Sequence, residues 1–250
     1  MRRDGPLLGL TAIAAVLALW HVATVATGVP RWLLPSPLMI AETLVEQSTA
    51  IAFHMSATLL ESLLGLGAAA LLGIGLAIVM DRMPRVRAAI YPILVLSQTV
   101  PIIAIAPLLV IWLGYGIAPK IVVVAIVCFF PMAVSTLDAL QRVDSDAVSL
   151  LRAMGATGQQ VFLRVRWPAA LPGIFSGLRI GVTYGIIGAI VGEWVGASQG
   201  LGIYMLRAVD QLQTDRVFAA IAVAAAMSVT LFSAVLWLER RVLPWKDDGS

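Results

Sequence analysis

Six apolar stretches, separated by short polar segments, run along this chain of 250 residues. An α-helix needs roughly 20 mostly apolar residues to cross a bilayer. The stretches that meet this requirement are 7–27, 56–80, a span within 88–119, 121–137, about 173–192, and 217–238. The pattern predicts an all-α membrane protein with six transmembrane helices. The first stretch is interpreted as a retained span, because no A-x-A-type cleavage site stands clearly at its end.

The longest charge-bearing break separates the fourth and fifth spans, at 143–172. Asp144 precedes an apolar-periodic run that ends at Gly155, and such residues are helix start and stop signals. A second apolar run follows, up to Pro168 and Pro172, which we expect to break the backbone. The pattern therefore predicts two short helices that lie outside the bilayer.

Composition agrees with a membrane protein. The chain is 60% hydrophobic and 12% charged, whereas soluble domains carry about 25% charged residues. Its single cysteine, Cys128, lies in an apolar run and excludes a disulfide framework or a Cys-based metal site. The basic residues are scattered, which gives no support to nucleic-acid binding. We expect a lipid bilayer as the environment, and no metal or cofactor.

The distribution of Lys and Arg predicts the orientation, because cytoplasmic loops carry an excess of both. If the N-terminus is cytoplasmic, twelve of the seventeen fall on that side, four fall on the other, and Arg179 lies inside a span. The twelve are Arg2, Arg3, Arg82, Arg85, Arg87, Arg142, Arg152, Arg164, Arg166, Arg240, Arg241 and Lys246. The four are Arg31, Lys120, Arg207 and Arg216. Both termini and the 143–172 loop are therefore predicted to be cytoplasmic. An amphipathic segment, 38–52, is predicted to lie along the outer interface.

The third apolar stretch is too long for one straight span and contains Pro92, Pro101 and Pro107. Each proline removes a backbone donor and bends a helix. The freed carbonyl groups need protein or water partners, because lipid offers none. This favours a kinked helix that lines a polar pathway, with Pro101 and Pro107 as pathway residues. The alternative is a proline-kinked helix that only packs.

Small residues recur at helical spacing in the fifth span. Four glycines stand four residues apart, at Gly173, Gly177, Gly181 and Gly185. Glycines at this spacing form a groove in which another helix backbone can approach closely. The stripe predicts tight helix packing, either inside the bundle or across a subunit interface.

Three ionisable residues fall inside or at the ends of apolar spans. Glu61 is a functional candidate by its position, although its place near the outer end of 56–80 favours a carboxylate that reaches the headgroups. Glu193 ends the glycine stripe and either lines an outer vestibule or lies at the interface. Arg179 is predicted to snorkel toward the cytoplasm.

Enzyme motifs are absent from the sequence. His21 and His54 are far apart, and there is no H-E-x-x-H or Cys/His cluster. A P-loop needs a lysine in G-x-x-x-x-G-K-[ST], and the only lysines are Lys120 and Lys246. Active transport would therefore draw its energy from another subunit or from an ion gradient. The polar 143–172 loop suits docking to a soluble cytoplasmic partner.

The loop resembles that of the permease subunits of binding-protein-dependent ABC importers, whose pattern is E-A-A, three residues, Gly, nine residues, then I-x-L-P. Here Gly155 is followed after nine residues by VRWP, and AALP completes a typical P-A-A-L-P ending at Pro172. The Glu position falls on Ser149 and an Ala position on Leu151. The segments LPSP (34–37), VP (100–101), APL (106–108), WLGYG (112–116) and FFP (129–131) resemble the nitrate, sulfonate and taurine permease group. CFFP (128–131) and GEWVGAS (192–198) are similar to permeases for thiamine-pyrimidine precursors or riboflavin.

This resemblance implies a type I importer fold in a bacterial inner membrane: 1–55 as first span and outer segment, 56–240 as core with docking loop 138–172, and 241–250 as cytoplasmic tail. It also implies two cytoplasmic ATPases, a periplasmic or lipid-anchored solute-binding protein, and a homodimer of permeases. The docking residues it implies are Asp146, Leu150, Leu151, Arg152, Ala153, Met154, Gly155, Pro168 and Pro172, with Asp146 and Arg152 pairing at the rim. A gradient-driven carrier or channel without an ATPase is the alternative, and no substrate can be named from the sequence.

Overall fold

A computed structural model of the chain describes residues 5–244, and their regular structure is entirely helical. Within this range the α-helices are α1 (Gly5–Thr27), α2 (Pro37–Glu46), α3 (Ser48–Arg82), α4 (Pro84–Ser97), α5 (Ile102–Leu113), α6 (Ala118–Gln141), α7 (Ser145–Ala153), α8 (Gly158–Val161), α9 (Trp167–Glu193), α10 (Leu201–Asp210) and α11 (Thr214–Val242). A π-helical segment, Phe162–Arg166, joins α8 to α9. Arg2, Arg3, Lys246 and the end of the predicted tail lie outside the described residues.

At the centre of the fold, α6 lies between α3 and α9 and packs closely against both. The contact with α3 depends on small residues. At Gly73, an added Cβ would stand 2.9 Å from the Cβ of Met132 and 3.1 Å from the amide nitrogen of Ala133. At Gly65, an added Cβ would stand even closer to the side chain of Val124. The two helices therefore meet almost backbone to backbone.

The predicted glycine stripe of the fifth span lies against α6 of the same chain. Gly173 faces Ala139 and Gly177 faces Ser135, where an added Cβ would collide with the α6 side chains. Further along, the Cys128 thiol donates a hydrogen bond to the carbonyl oxygen of Gly181 at 3.1 Å. Gly185, the last residue of the stripe, also faces α6, as do the two glycines that follow it, Gly188 and Gly192.

Among the described residues, four helices are long and apolar enough to cross a membrane: α3, α6, the continuous helix Gly158–Glu193, and α11. The pair α4 and α5 passes the same test together, although it is bent by 100°. The apolar part of α1, Thr11–Thr27, is shorter. The predicted all-α membrane architecture with several apolar spans is confirmed.

The third predicted span differs from the expected kinked helix. The chain breaks between Ser97 and Ile102, and the two halves turn by 100°. Pro101 is the N-cap of α5 and has an extended conformation, whereas α4 has already ended at Ser97. Pro92 and Pro107 lie within their helices. Pro101 therefore lies at the start of a helix, and the other two prolines are accommodated inside theirs.

The polar loop also differs in its second half. The first short helix, α7, forms as predicted, but Pro168 and Pro172 do not break the backbone. Pro168 is the second residue of α9 and directly follows the π-helical segment Phe162–Arg166. Local π adjustments of this kind let a membrane helix contain a proline, because they give the freed backbone groups other partners. Helix thus continues from Gly158 to Glu193.

The amphipathic segment 38–52, expected as one unit, is divided, because α2 ends at Glu46 and the residues from Ser48 belong to α3. The Nη1 of Arg179 donates to Oε2 of Glu239 at 2.7 Å. A carboxylate near the end of α11 thus supplies its counter-charge.

The bundle has two ends, which we name after their short helices. The α7 end contains the last residues of α3 and α6 and the start of the Gly158–Glu193 helix. The α10 end contains the start of α6 and the end of α9, with α10 packed against α3, α9 and α11. α1 lies at the edge, where Trp20 contacts Phe218 at 5.5 Å between ring centroids.

The close approach of α3 and α6 makes a stability prediction. Gly73→Val would insert a branched side chain against the α6 backbone, and overpacking of this kind costs about 1–3 kcal/mol. We expect a lower melting temperature of the detergent-solubilised protein. Gly75→Val is the matched control, because an added Cβ at Gly75 meets nothing within 4 Å. Equal melting temperatures for the two variants would contradict the backbone contact.

Candidate functional site

The short helix α7 is built from local signals. The carboxylate of Asp144 accepts a hydrogen bond from the backbone N–H of Asp146 at 2.9 Å and caps the N-terminus. Gly155 follows the C-terminus with a φ of +85°, a conformation that favours glycine. Asp146 in the first turn and Arg152 in the last turn both complement the helix dipole.

We call the exposed side chains Asp146, Leu150, Arg152, Ala153 and Met154 the docking face. Leu150 is 63% exposed and Met154 is 76% exposed, and the two lie one helical turn apart on α7. Large apolar side chains this exposed at a polar end of the bundle fit a protein contact. Leu151, which belonged to the predicted set, is half-buried and turns toward its own chain.

The loop that carries the docking face is tied to the spans by one arginine. Arg166, at the end of the π-helical segment, donates to both carboxylate oxygens of Asp81 at 2.7 and 2.8 Å. It also donates to the carbonyl oxygen of Leu140 at 2.8 Å. Nearby, the Arg82 guanidinium lies 4.7 Å from the ring centroid of Phe162. The last turns of α3 and α6 are thus joined to the start of the long helix.

At the α10 end, the structure brings Glu61 and Glu193 together with Lys120. The Lys120 ammonium donates to Oε1 of Glu61 at 2.9 Å. Glu61 does not reach the headgroups as expected, because α3 begins at Ser48 and places this residue well inside the helix, 2% exposed. Glu193 is fully buried, not interfacial. Lys120, expected in an outer loop, is buried as their counter-charge.

The same cluster caps the N-terminus of α10 from other helices. The N–H of Gly200 donates to Nδ1 of His54 at 3.0 Å, and the N–H of Leu201 donates to Oγ1 of Thr58 at 2.8 Å. The N–H of Gly202 donates to Glu193. Helix N-terminal N–H groups need such acceptors. A side chain at Gly200, whose φ is +124°, would collide with the Glu193 carboxyl group.

A groove of about 400 Å³ opens between the end of α4 and the middle of α6 and α9. Its polar groups are Gln98, Ser135 and Tyr184, and Phe130 supplies an aromatic wall. Among the residues that the structure describes, those lining the groove carry no charge. Pro101 and Pro107, expected on the pathway, are exposed on or beside α5 and do not line it.

Sequence reasoning missed Lys120, Thr58, His54 and Asp81. A single lysine at the start of an apolar stretch was an available signal for Lys120. Thr58, His54 and Asp81 carried no such sequence signal, because the residues that they contact are distant in the sequence.

The family comparison decides what these features belong to. Residues 69–244 match the model for the binding-protein-dependent transport system inner membrane component. The chain belongs to this family. The matched range includes α7, the Arg166–Asp81 pair, Lys120, Glu193 and the groove, whereas Glu61 and the other α3 residues of the α10-end cluster precede it.

Relatives with similar sequences cover nearly the whole permease. A formylaminopyrimidine transport permease, ThiX from Halalkalibacterium halodurans, is 40% identical over 92% of each chain. The taurine permease TauC from Escherichia coli is 34% identical, over 95% of this chain and 89% of its own. The riboflavin permease RibX from Chloroflexus aurantiacus is 31% identical, over 98% and 92%.

Solved structures support the fold. Inward-facing forms of the MetNI methionine ABC transporter match with a TM-score of 0.66 at 19% identity, covering 74% of this chain and 93% of that one. A second amino acid ABC transporter has a TM-score of 0.66 at 18% identity, covering 80% and 97%. The fold is therefore similar to that of type I permeases, and the family match with its relatives makes the protein a permease subunit of an ABC importer. A gradient-driven carrier or channel is not favoured, and the family indicates no enzymatic activity.

The Arg166–Asp81 pair makes a prediction about the α7 end. Asp81 is mostly buried, and removing one partner of a buried pair costs about 3 kcal/mol or more. Arg166→Ala should therefore lower the melting temperature, whereas the double variant Arg166→Ala, Asp81→Ala should recover part of the loss. Arg142→Ala is the control, because the Arg142–Asp138 pair is exposed and 4.0 Å apart. Additive effects of the two single substitutions would contradict a direct coupling.

Proposed function

We propose that this permease works as a homodimer in a bacterial inner membrane, with six spans per subunit and α7 and both termini in the cytoplasm. The basic side chains support this orientation, because Arg82, Arg85, Arg164, Arg240 and Arg241 lie on segments that meet at the α7 end. With α1 as the first span and the bent α4–α5 pair as the third, the helices amount to six crossings. A solute-binding protein then delivers its cargo at the α10 end.

The docking face is the ATPase contact of the proposal. Leu150 and Met154 would enter a groove of the ATPase, while Asp146 and Arg152 contact its rim. Arg166 would pass the movement of the loop to α3 and α6 through Asp81 and the Leu140 carbonyl. Such transmission needs a well-packed element that joins two arrangements of the bundle. ATP hydrolysis belongs to the separate ATPase subunits.

The uncharged lining of the groove favours a neutral substrate. Its uncharged lining offers hydrogen bonds from Gln98, Ser135 and Tyr184 and stacking on Phe130, but no cation to hold a sulfonate. We extend the proposal to a planar, neutral heterocycle that crosses along this wall. The relative at 40% identity is named for formylaminopyrimidine transport, which makes that compound the first candidate.

The observation that carries the proposal is the exposure of Leu150 and Met154 on a capped helix. The permease is reconstituted in vesicles with its ATPase and binding protein, and ATP-driven uptake of labelled formylaminopyrimidine is measured. The double variant Leu150→Glu, Met154→Glu should lose both ATPase co-purification and uptake, because two charges would enter an apolar contact.

Ser149→Glu is the matched control, since it adds a charge to the same helix at the position where the family's loop pattern has glutamate. This variant should retain both activities. Taurine in the same vesicles tests the substrate. Uptake by the double variant would contradict the docking role, and uptake of taurine in preference to the pyrimidine would contradict the substrate.

A further inference from the structure

The cluster at the α10 end encloses more negative than positive groups. Glu61 is 2% exposed, Glu193 is 0% exposed and Lys120 is 5% exposed. Two carboxylates and one ammonium group would leave one uncompensated negative charge in this enclosed volume. Burying an unpaired charge is very costly, and such groups neutralise instead.

The hydrogen bonds around the two carboxyl groups leave one oxygen without a donor. Oε1 of Glu61 accepts from Lys120 at 2.9 Å. The oxygens of Glu193 accept from the Thr58 hydroxyl, at 2.6 Å, and from the Gly202 N–H. Oε2 of Glu61 is buried and has no donor among the described residues. Thr58, which donates to Glu193, lies three residues before Glu61 on the same face of α3, so the two carboxyl groups are neighbours. A proton on Glu193 would supply the donor that Oε2 of Glu61 lacks.

We propose that this cluster is a binding site for one proton, carried by Glu193 and donated in a hydrogen bond to Oε2 of Glu61. Glu61 is the ionised partner, because Lys120 neutralises it directly. Glu193 is the neutral partner, because its other contacts, Thr58 and Gly202, are uncharged donors. The proton satisfies the remaining oxygen and brings the net charge of the cluster to zero.

The other ionisable groups around the site fit this assignment. His54 on α3 accepts the Gly200 N–H through Nδ1, which requires a neutral imidazole. Arg207 on α10 is an exposed cation whose charge is felt by His54. Within residues 5–244, Lys120 on α6 is therefore the cation inside the cluster. The bound proton allows α10 to be held against α3 and α9 without a buried net charge.

Infrared spectroscopy of the purified permease–ATPase complex tests this site. Exposed carboxyl groups are ionised at neutral pH, so a protonated carboxyl group gives a separate carbonyl band. We expect this band in the wild type at neutral pH, and we expect its complete loss in Glu193→Gln. Glu42→Gln, which changes an exposed residue, is the control and should keep it.

The Glu193→Gln variant should also fold with a wild-type melting temperature, because an uncharged amide replaces an uncharged acid. Its nitrogen would lie on the side of Thr58, whose hydroxyl can turn to the His54 carbonyl oxygen, 3.3 Å away. Lys120→Met should strengthen the band, because Glu61 then takes up a proton as well. A wild type without the band, a band that survives in Glu193→Gln, failure of that variant to fold, or an unchanged band in Lys120→Met would each overturn the proposal.

Discussion

The fold depends on the approach of three helices at backbone distance. α6 can lie between α3 and α9 only because Gly73 on one side and Gly177 on the other place no side chain in the contact. In a bilayer, apolar side chains gain little by leaving lipid, so association relies on close packing. A layer joined in this way has little freedom to deform, and we infer that α3, α6 and α9 move together.

Buried ion pairs and hydrogen bonds hold the layer of α3, α6 and α9 together at both ends. At the α7 end, Arg166 joins α3 and α6 to the segment that carries the docking face. At the α10 end, Lys120 and Glu61 join α6 to α3, and Glu193 holds the start of α10. Polar groups shielded from water have few alternative partners, so breaking these ties is costly. A movement of α7 would therefore reach the opposite end of the layer.

Much of the fold could be predicted from the sequence because the spans are local features. Length and hydropathy identified the apolar helices, and Asp144 and Gly155 identified the first helix of the loop. The proline predictions were less successful. Pro168 follows a π-helical segment and lies inside a continuous helix, whereas Pro101 is the N-cap of α5 after a break in the chain. The local sequence does not separate these cases.

The site was harder to predict because its pairs are distant in the chain. Glu61 lies 59 residues from Lys120, and Arg166 lies 85 residues from Asp81. Charge inside an apolar span marked Glu61 as a candidate, but it could not name the partner. The exposure of α7 was predictable from its pattern, whereas the half-buried position of Leu151 required the packed structure.

The central claim is that α3, α6 and α9 move together when ATP binds to the ATPase that is proposed to contact the docking face. Spin labels at Gly75→Cys on α3 and Ile187→Cys on α9 report the distance inside one subunit, since both positions are exposed and Cys128 is buried. A label at Gly75→Cys alone reports the distance between the two subunits of the proposed homodimer. The account predicts that ATP changes the second distance and leaves the first unchanged. A change of the first distance with ATP would contradict it.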